Sequence, residues 1–439
     1  MNKTLFTSLL LNKKYYEVND LRYNKNVGVM FSQEQLSEFK SFKNEIISKV
    51  ENKQIDKLAE VLDLGEAFTD EFIDKIESIF CKLPLKTFNS EHMFFFFFLY
   101  LLSTQNEYLS LISNDMKEHE DVLFNRNINA IMNSRILSEI EGTLGIENVP
   151  TTRKRISQIV THSENLTDKN DIIINNMVNA LLYIINEKPE FNKENLFKLY
   201  TILSDRCLTE DTVLVENNMY RTDEVTVGGF DGAPHERIDE LMDSLFDFVN
   251  NASYRRKYQT VLPHICHYYI VYVHPYFDYN GRTARMVSFW ISCLYDIIAA
   301  PLFLSEAINE RKREYYTALT NTRNMDNDLT YFIGYIFETS IKFSIIYKNV
   351  ENIKSILMQS GDILSSTEEF YIRKILIHLS NGFFNHKMFA NCIDKNISKQ
   401  GALNILNKMT EYNILTESTN RRGEKIFKIN PDMLLYANN

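Results

Sequence analysis

A chain of 439 residues is too long for one ordinary domain and implies two or three. Its 44% hydrophobic and 24% charged residues exclude a disordered or fibrous chain, and only 13 glycines and 8 prolines favour long helices over many tight turns. A net charge of −10 excludes a general polyanion binder, and five cysteines without a CxxC pair exclude a disulfide framework or zinc knuckle and fit a reducing cytoplasm.

The first residues carry Lys3 and a short apolar stretch to Leu11, but no small-residue cleavage site, so no signal peptide is predicted. Residues 1–125 are predicted as an N-terminal helical region. Within it, 70–83 has Phe72, Ile73, Ile76, Ile79 and Phe80 at helical spacing. The most apolar run, 93–102, is about half the ~20 residues needed to span a bilayer and predicts a buried core helix. A helix over 127–141 places Ile128, Ile131, Met132, Ile136 and Ile140 on one side, and Gly142 reads as its stop. Residues 151–163, polar and basic, read as a connection. Helices are predicted again at 171–185 and 193–204.

The pattern then changes. Residues 219–230 (MYRTDEVTVGGF) alternate briefly at Val225 and Val227 and end in Gly228-Gly229, the mark of a hairpin. Helices at 236–250 and 256–273 follow. From Ser366 two helices, a polar helix over 398–412 and a hairpin turning at Arg421-Arg422-Gly423-Glu424 predict a winged-helix domain over 365–439. The stretch 373–428 holds 10 Lys/Arg and 4 Asp/Glu, a net +6 in an acidic chain.

The segment from His274 to Arg285 (HPYFDYNGRTAR) concentrates the chemistry. Asn280-Gly281 is a turn pair, and Met286, Phe289, Trp290, Cys293 and Leu294 after it mark a buried helix face. A loop therefore feeds a helix N-terminus, whose free N–H groups suit an anion. Arg282 and Arg285 lie one turn apart on the same side, two guanidinium forks suited to a polyphosphate. Asp278 would repel phosphate unless a hard cation such as Mg²⁺ lay between them. His274 is the residue type whose ordinary pKa suits a general base.

These residues resemble the Fic family, whose signature is HPFx(D/E)GN(G/K)RxxR. His274, Pro275, Asp278, Asn280, Gly281, Arg282 and Arg285 match; Tyr276 stands for the Phe and Tyr279 for the small residue before the Asn. The resemblance extends over about 128–342, with His267 and Tyr268 in the preceding helix. It implies a mainly α fold: a Fic-type helical core with a small β-hairpin flap over 126–350, beside the N-terminal helical region and the C-terminal winged helix. It implies a protein adenylyltransferase that moves AMP from ATP to a Ser, Thr or Tyr hydroxyl of a target protein or of itself. His274 would take the hydroxyl proton and Asp278 would hold Mg²⁺. Asn280, Gly281 and Arg282 would hold the phosphates, and Arg285 the γ-phosphate. Tyr315 and Tyr316 would line the adenine pocket, and Val225, Thr226, Val227 and Gly228 of the flap at 219–230 would hold the target by strand addition. Gly281, where a Lys marks phosphate transfer, favours AMP transfer.

Many Fic proteins carry an inhibitory helix with the pattern (S/T)xxxE(G/N), and such proteins are often homodimers. Glu141-Gly142 matches its end in a helix over 127–142, with Ser138 one step from the expected hydroxyl position. Glu141 would then pair with Arg285 and occupy the γ-phosphate seat. Two other functions stand beside this one. Glu141 would serve AMP removal in a de-AMPylating enzyme. Alternatively, Lys399, Gln400, Asn404 and Lys408 would read DNA from the winged helix. His264 and His267, at i, i+3, lack a third metal ligand and read as core residues. No Walker loop, HExxH helix or membrane partner is expected.

Overall fold

The computed structural model describes residues 80–88, 93–96, 134–161, 166, 168–258, 261–295, 304–324, 327–393 and 397–435. The predicted N-terminal helices before residue 80 lie outside them. The first described element is a strand: Phe80–Leu83 (β1) pairs antiparallel with Met93–Phe96 (β2), Phe80 opposite Phe96 and Leu83 opposite Met93. This corrects the helices expected over the end of 70–83 and the start of 93–102. A short apolar run has no period to tell strand from helix, aromatic residues favour the pleat, and Pro84 bars helix continuation. The chain after β1 docks on the helical core, where the Lys86 N–H donates to Ser244 Oγ at 3.1 Å and the Tyr269 hydroxyl to Lys86 O at 2.7 Å. The Phe88 ring stacks on Tyr272, centroids 4.2 Å apart.

Ser134–Ile146 (α1) follows, and Gly142 lies inside it. Gly142 was expected to end the helix, but its role is spatial. A Cβ there would sit 2.3 Å from the Glu306 backbone nitrogen. Arg153–Thr161 (α2) is a helix where a connection was expected; Ile156 and Ile159 are buried on one side of an otherwise basic stretch. Lys169–Glu187 (α3) starts at Asp168, whose carboxylate accepts from the Asn170 and Asp171 N–H groups. Asn192 caps Lys193–Ser204 (α4) in the same way.

Thr226–Val227 (β3) and Phe230–Asp231 (β4) form the expected hairpin, turning through Gly228 and Gly229 at φ 56° and 87°. Ile238–Asn250 (α5), Ala252–Lys257 (α6), Leu262–Val273 (α7) and Asn280–Leu294 (α8) come next. Buried almost all round, α7 packs along α8 at the centre of the core. Trp290 on α8 is fully buried, donates to Pro189 O at 2.9 Å and meets Phe191 edge to face. Ser305–Glu310 (α9), which packs along α1, leads into Lys312–Asn324 (α10) and Thr330–Gln359 (α11).

The chain divides into two compact units between Thr339 and Ser340. The second unit contains Ser366–His378 (α12), His386–Ile393 (α13), Lys399–Glu411 (α14) and the hairpin of Leu415–Thr419 (β5) and Lys425–Ile429 (β6). Three helices and then a ribbon is the order expected over 365–439. Its core also takes in Ile346, Val350, Ile353 and Leu357 from α11, packed with Leu406, Met409 and Phe427, so this unit begins at Ser340. Phe384, just before α13, bridges to Phe427 on β6.

Candidate active site

The loop between α7 and α8 is held from both ends. His274 closes α7 in the left-handed region, φ 56° and ψ 61°, with its N–H on Ile270 O at 2.9 Å. The Asn280 side chain, 2% exposed, accepts from the Tyr276 N–H at 3.0 Å and donates to Tyr276 O at 2.8 Å. Asn280 therefore shapes the loop itself, a role the sequence did not suggest. Tyr276 is buried, and its ring stacks on Tyr200 at 3.8 Å.

Arg221 braces the same loop from the side and was missed in the sequence, where no periodicity or motif marks it. It is 2% exposed and carries no large-scale signal beyond its place before the hairpin. Its Nε donates to His274 O at 2.8 Å, its Nη1 to Asp223 O at 2.6 Å and its Nη2 to Ala233 O. The Arg221 N–H also donates to Pro275 O and the Ala233 N–H to Val273 O, each at 3.0 Å. One guanidinium thus ties the base of the hairpin to the His274 turn. Arg323 holds the far strand, donating to Asp231 O and lying 4.9 Å from the Phe230 ring centre.

Burial pulls the His274 imidazole down to a pKa of about 4. The Val271 carbonyl and Asp278 oppose that shift, while Arg221 and Arg323 add to it. The ring is therefore neutral at pH 7 and able to accept a proton. Asp278 is exposed, and one of its oxygens accepts from the Tyr279 N–H at 2.6 Å.

Helix α8 starts without help from its cap residue: Tyr279 gives no side-chain hydrogen bond to the first turn. Beside that turn lie both arginines. Arg282 is 8% exposed, and its Nε and Nη1 have no hydrogen-bond partner among the described residues. Its guanidinium carbon lies 3.6 Å from the centre of the Tyr279 ring. Arg285 is 4% exposed and fully engaged by α1 and the turn after it. Its Nε donates to Thr143 Oγ1 at 2.7 Å and its Nη2 to Glu147 Oε1 at 2.5 Å. Burial would raise the Glu147 carboxyl, but Arg285 and then Arg282 hold it below its ordinary value. Gly281 gives this pair its room, since a Cβ there would sit 2.8 Å from Glu147 Oε1.

The expected Glu141–Arg285 pair is thus corrected. Glu141 pairs with Arg153 Nε at 3.1 Å, Ser138 is buried within α1, and Glu147 binds Arg285. The signal was in the sequence: Thr143-x-x-x-Glu147-Asn148 satisfies (S/T)xxxE(G/N) at every position, six residues beyond the partial match. Taking Gly142 as a helix stop hid it. Glu139, also on α1, is buried, and burial raises its pKa to about 7; its Oε2 accepts from the Ser305 N–H at the start of α9 at 2.7 Å.

The paired tyrosines separate. Tyr315 is 2% exposed, and its hydroxyl lies 2.8 Å from His267 Nε2, so it belongs to the core and not to an open pocket. Tyr316 is 46% exposed and within the field of Glu147 and Arg285. His264 is buried against Phe337, and His267 is engaged by Tyr315, which agrees with the core role expected of both. In the hairpin, Thr226 pairs with Asp231, Val227 with Phe230, and Val225 O accepts from the Gly232 N–H at 2.8 Å. Gly228 at its tip is exposed. Among the described residues the one cluster of three groups able to hold a metal is Glu224, His235 and Glu236, exposed and apart from Asp278 in sequence.

Comparison with known proteins gives the class. Residues 190–292 match the model of the Fic/DOC family, so the chain carries a Fic domain spanning the hairpin, the loop and most of α8. Over 126 residues, 29% of the chain, it is 32% identical to a protein described as protein adenylyltransferase fic-1 from Caenorhabditis briggsae, and equally to that of Caenorhabditis elegans. The matched stretch spans about a quarter of each relative, 24% and 23%. Among solved structures, a Fic family protein from Desulfovibrio desulfuricans is similar at a TM-score of 0.45 and 16% identity, covering 74% of this chain and 97% of that one. Residues 134–508 of the Caenorhabditis elegans protein align at 0.43 and 17%, covering 75% and 88%.

Proposed function

We propose that this protein transfers AMP from ATP to a hydroxyl group of a protein, and that Glu147 restrains the reaction. The observation that carries the proposal is a neutral, half-buried His274 next to a helix start that holds Arg282, whose Nε and Nη1 have no hydrogen-bond partner among the described residues. That pairing of a base with an anion seat suits nucleotidyl transfer. His274 takes the proton of a Ser, Thr or Tyr hydroxyl. The hydroxyl oxygen attacks the α-phosphorus, the bond to the bridging oxygen breaks, and pyrophosphate leaves. The Gly281 and Arg282 N–H groups and the Arg282 side chain meet the charge that develops on the phosphates. Asn280 and Arg221 keep the loop in shape throughout.

Asp278, exposed and with one oxygen already on Tyr279, fits Mg²⁺ only as a single carboxylate, with nucleotide phosphates and water completing the shell. When bound, Mg²⁺ would neutralise phosphate charge. Tyr316 is the tyrosine available to the base, and the edge of β3 away from β4, unpaired among the described residues, suits an extended segment of the target. The Glu147–Arg285 pair supports the restraint, because it occupies the guanidinium that a γ-phosphate would need.

The test uses ATP labelled at the α- or the γ-phosphate with wild type, Glu147→Gly, Glu141→Gly and His274→Ala. Expected is α-label on protein, raised by Glu147→Gly, unaltered by Glu141→Gly and lost in His274→Ala. Label from the γ-position, AMP release from a labelled target, or no label even in Glu147→Gly would each overturn the proposal. A second reading concerns the C-terminal unit. Lys387, Lys399, Arg421 and Arg422 are exposed and make no ion pair among the described residues, which favours a polyanion such as duplex DNA. Lys408, expected to face DNA, is instead paired with Glu368. Salt-independent or absent binding to duplex DNA would remove this reading.

A further inference from the structure

We infer that Tyr279 is a positioning residue that holds the Arg282 guanidinium flat, so that its N–H edge is set for a nucleotide phosphate before the nucleotide arrives. This rests on the nucleotide-transfer reading above. Tyr279 stands where the Fic pattern has a small residue, and its backbone shows why: φ is 67° and ψ 3°, the left-handed region a bulky side chain rarely adopts. The large residue contributes no cap to α8 in return. Its side chain is nevertheless 4% exposed and fixed from two sides. One face carries the Arg282 guanidinium, 3.6 Å from the ring centre. The phenol also reaches Cys207, itself buried and held by its N–H on Ser204 O at 3.0 Å at the end of α4.

A guanidinium bonds through its edge and stacks through its face. With one face on Tyr279, Arg282 keeps only in-plane directions for its donors. Nε and Nη1 are buried and have no protein partner among the described residues. Buried cationic donors left unsatisfied are costly, so this arrangement is one that an anion completes. Without the ring the side chain could swing away, and the anion would have to order it on binding.

The test is ATP affinity by calorimetry in the Glu147→Gly background, where the restraint is gone. Tyr279→Gly should weaken ATP binding about tenfold, the scale of one lost stacking contact. Tyr279→Leu, which fills the space without a π face, should do the same and decides the matter if the Gly variant does not fold. Tyr279→Phe should bind within about twofold of the parent. The effect must also vanish when Arg282 is already Arg282→Ala, because Tyr279 acts through it. Unchanged binding in Tyr279→Gly and Tyr279→Leu, or the same loss with and without Arg282, overturns the inference alone. Failure of the Glu147→Gly parent to bind ATP overturns the nucleotide reading and this inference together.

Discussion

A half-buried imidazole and a buried guanidinium set the chemistry of the loop. His274 is kept neutral by burial, with a pKa pulled to about 4. A free imidazole acting as base would lose about tenfold in rate between pH 7.5 and 5.5, because its ordinary pKa is near 6.5. Here the rate of AMP transfer in single-turnover labelling should stay within about twofold over that range, because the ring remains unprotonated. A tenfold fall would mean that the proton acceptor is not a His274 with its pKa held low. Arg221 acts differently, through carbonyls. It satisfies His274 O, Asp223 O and Ala233 O at once, so Arg221→Met keeps the bulk and strands three acceptors. Urea unfolding should show a loss of about 3 kcal/mol, the scale of charged hydrogen bonds removed from a buried site. A loss under about 1 kcal/mol would mean that water replaces the guanidinium. These two residues also divide what was legible. His274 sits in a dense motif whose residue types state their chemistry. Arg221 owes its role to a fold that brings it 53 positions along the chain to His274, and no local pattern encodes that.

At the scale of elements, α1 is the part most easily misread and the most informative. Ile140, the one residue of its expected apolar side whose burial is described, lies in the core, but the end of the helix was misplaced. Gly142 reads as a stop because glycine commonly follows a helix, whereas here it admits the α9 backbone. The same limit explains β1 and β2, since elements of four residues are too short to show a period. The α1–α9 contact also yields a prediction. Glu139 bonds to the start of α9, and a Cβ on Gly142 would meet backbone at 2.3 to 2.6 Å, which no side-chain movement relieves. Gly142→Ala should therefore unseat α1 and carry Glu147 away from Arg285. Labelling by α-labelled ATP should rise as is expected for Glu147→Gly, with a lower melting temperature as the sign that packing was lost. A lower melting temperature without increased labelling would separate the seat of α1 from the restraint on Arg285.

Across the whole molecule, the Fic unit holds three histidines that resist protonation. Burial lowers His264 to about 3, His267 well below its ordinary value and His274 to about 4. Above pH 6.5 these rings are neutral whether the chain is folded or not, so they do not alter stability there. Below it the unfolded chain binds protons that the folded one refuses, and stability falls as pH falls, until the folded pKa of each ring is reached. Each ring contributes about 1.4 kcal/mol per pH unit over that window. Glu139 works in the opposite sense, because burial raises its pKa to about 7 and the folded state then holds a proton that the unfolded state binds only near 4.5. It offsets about one of the three rings, leaving about 3 kcal/mol per pH unit. Against a total of about 5 to 15 kcal/mol for a domain, that slope uses up the lower figure nearly two pH units below 6.5, at about pH 4.8. Melting temperature should be nearly level from pH 8 to 7 and fall steadily below 6.5. His264→Phe, which keeps an aromatic ring against Phe337 and removes the proton acceptor, should make that fall shallower by about half, whereas an unchanged slope would show that His264 is not refusing a proton.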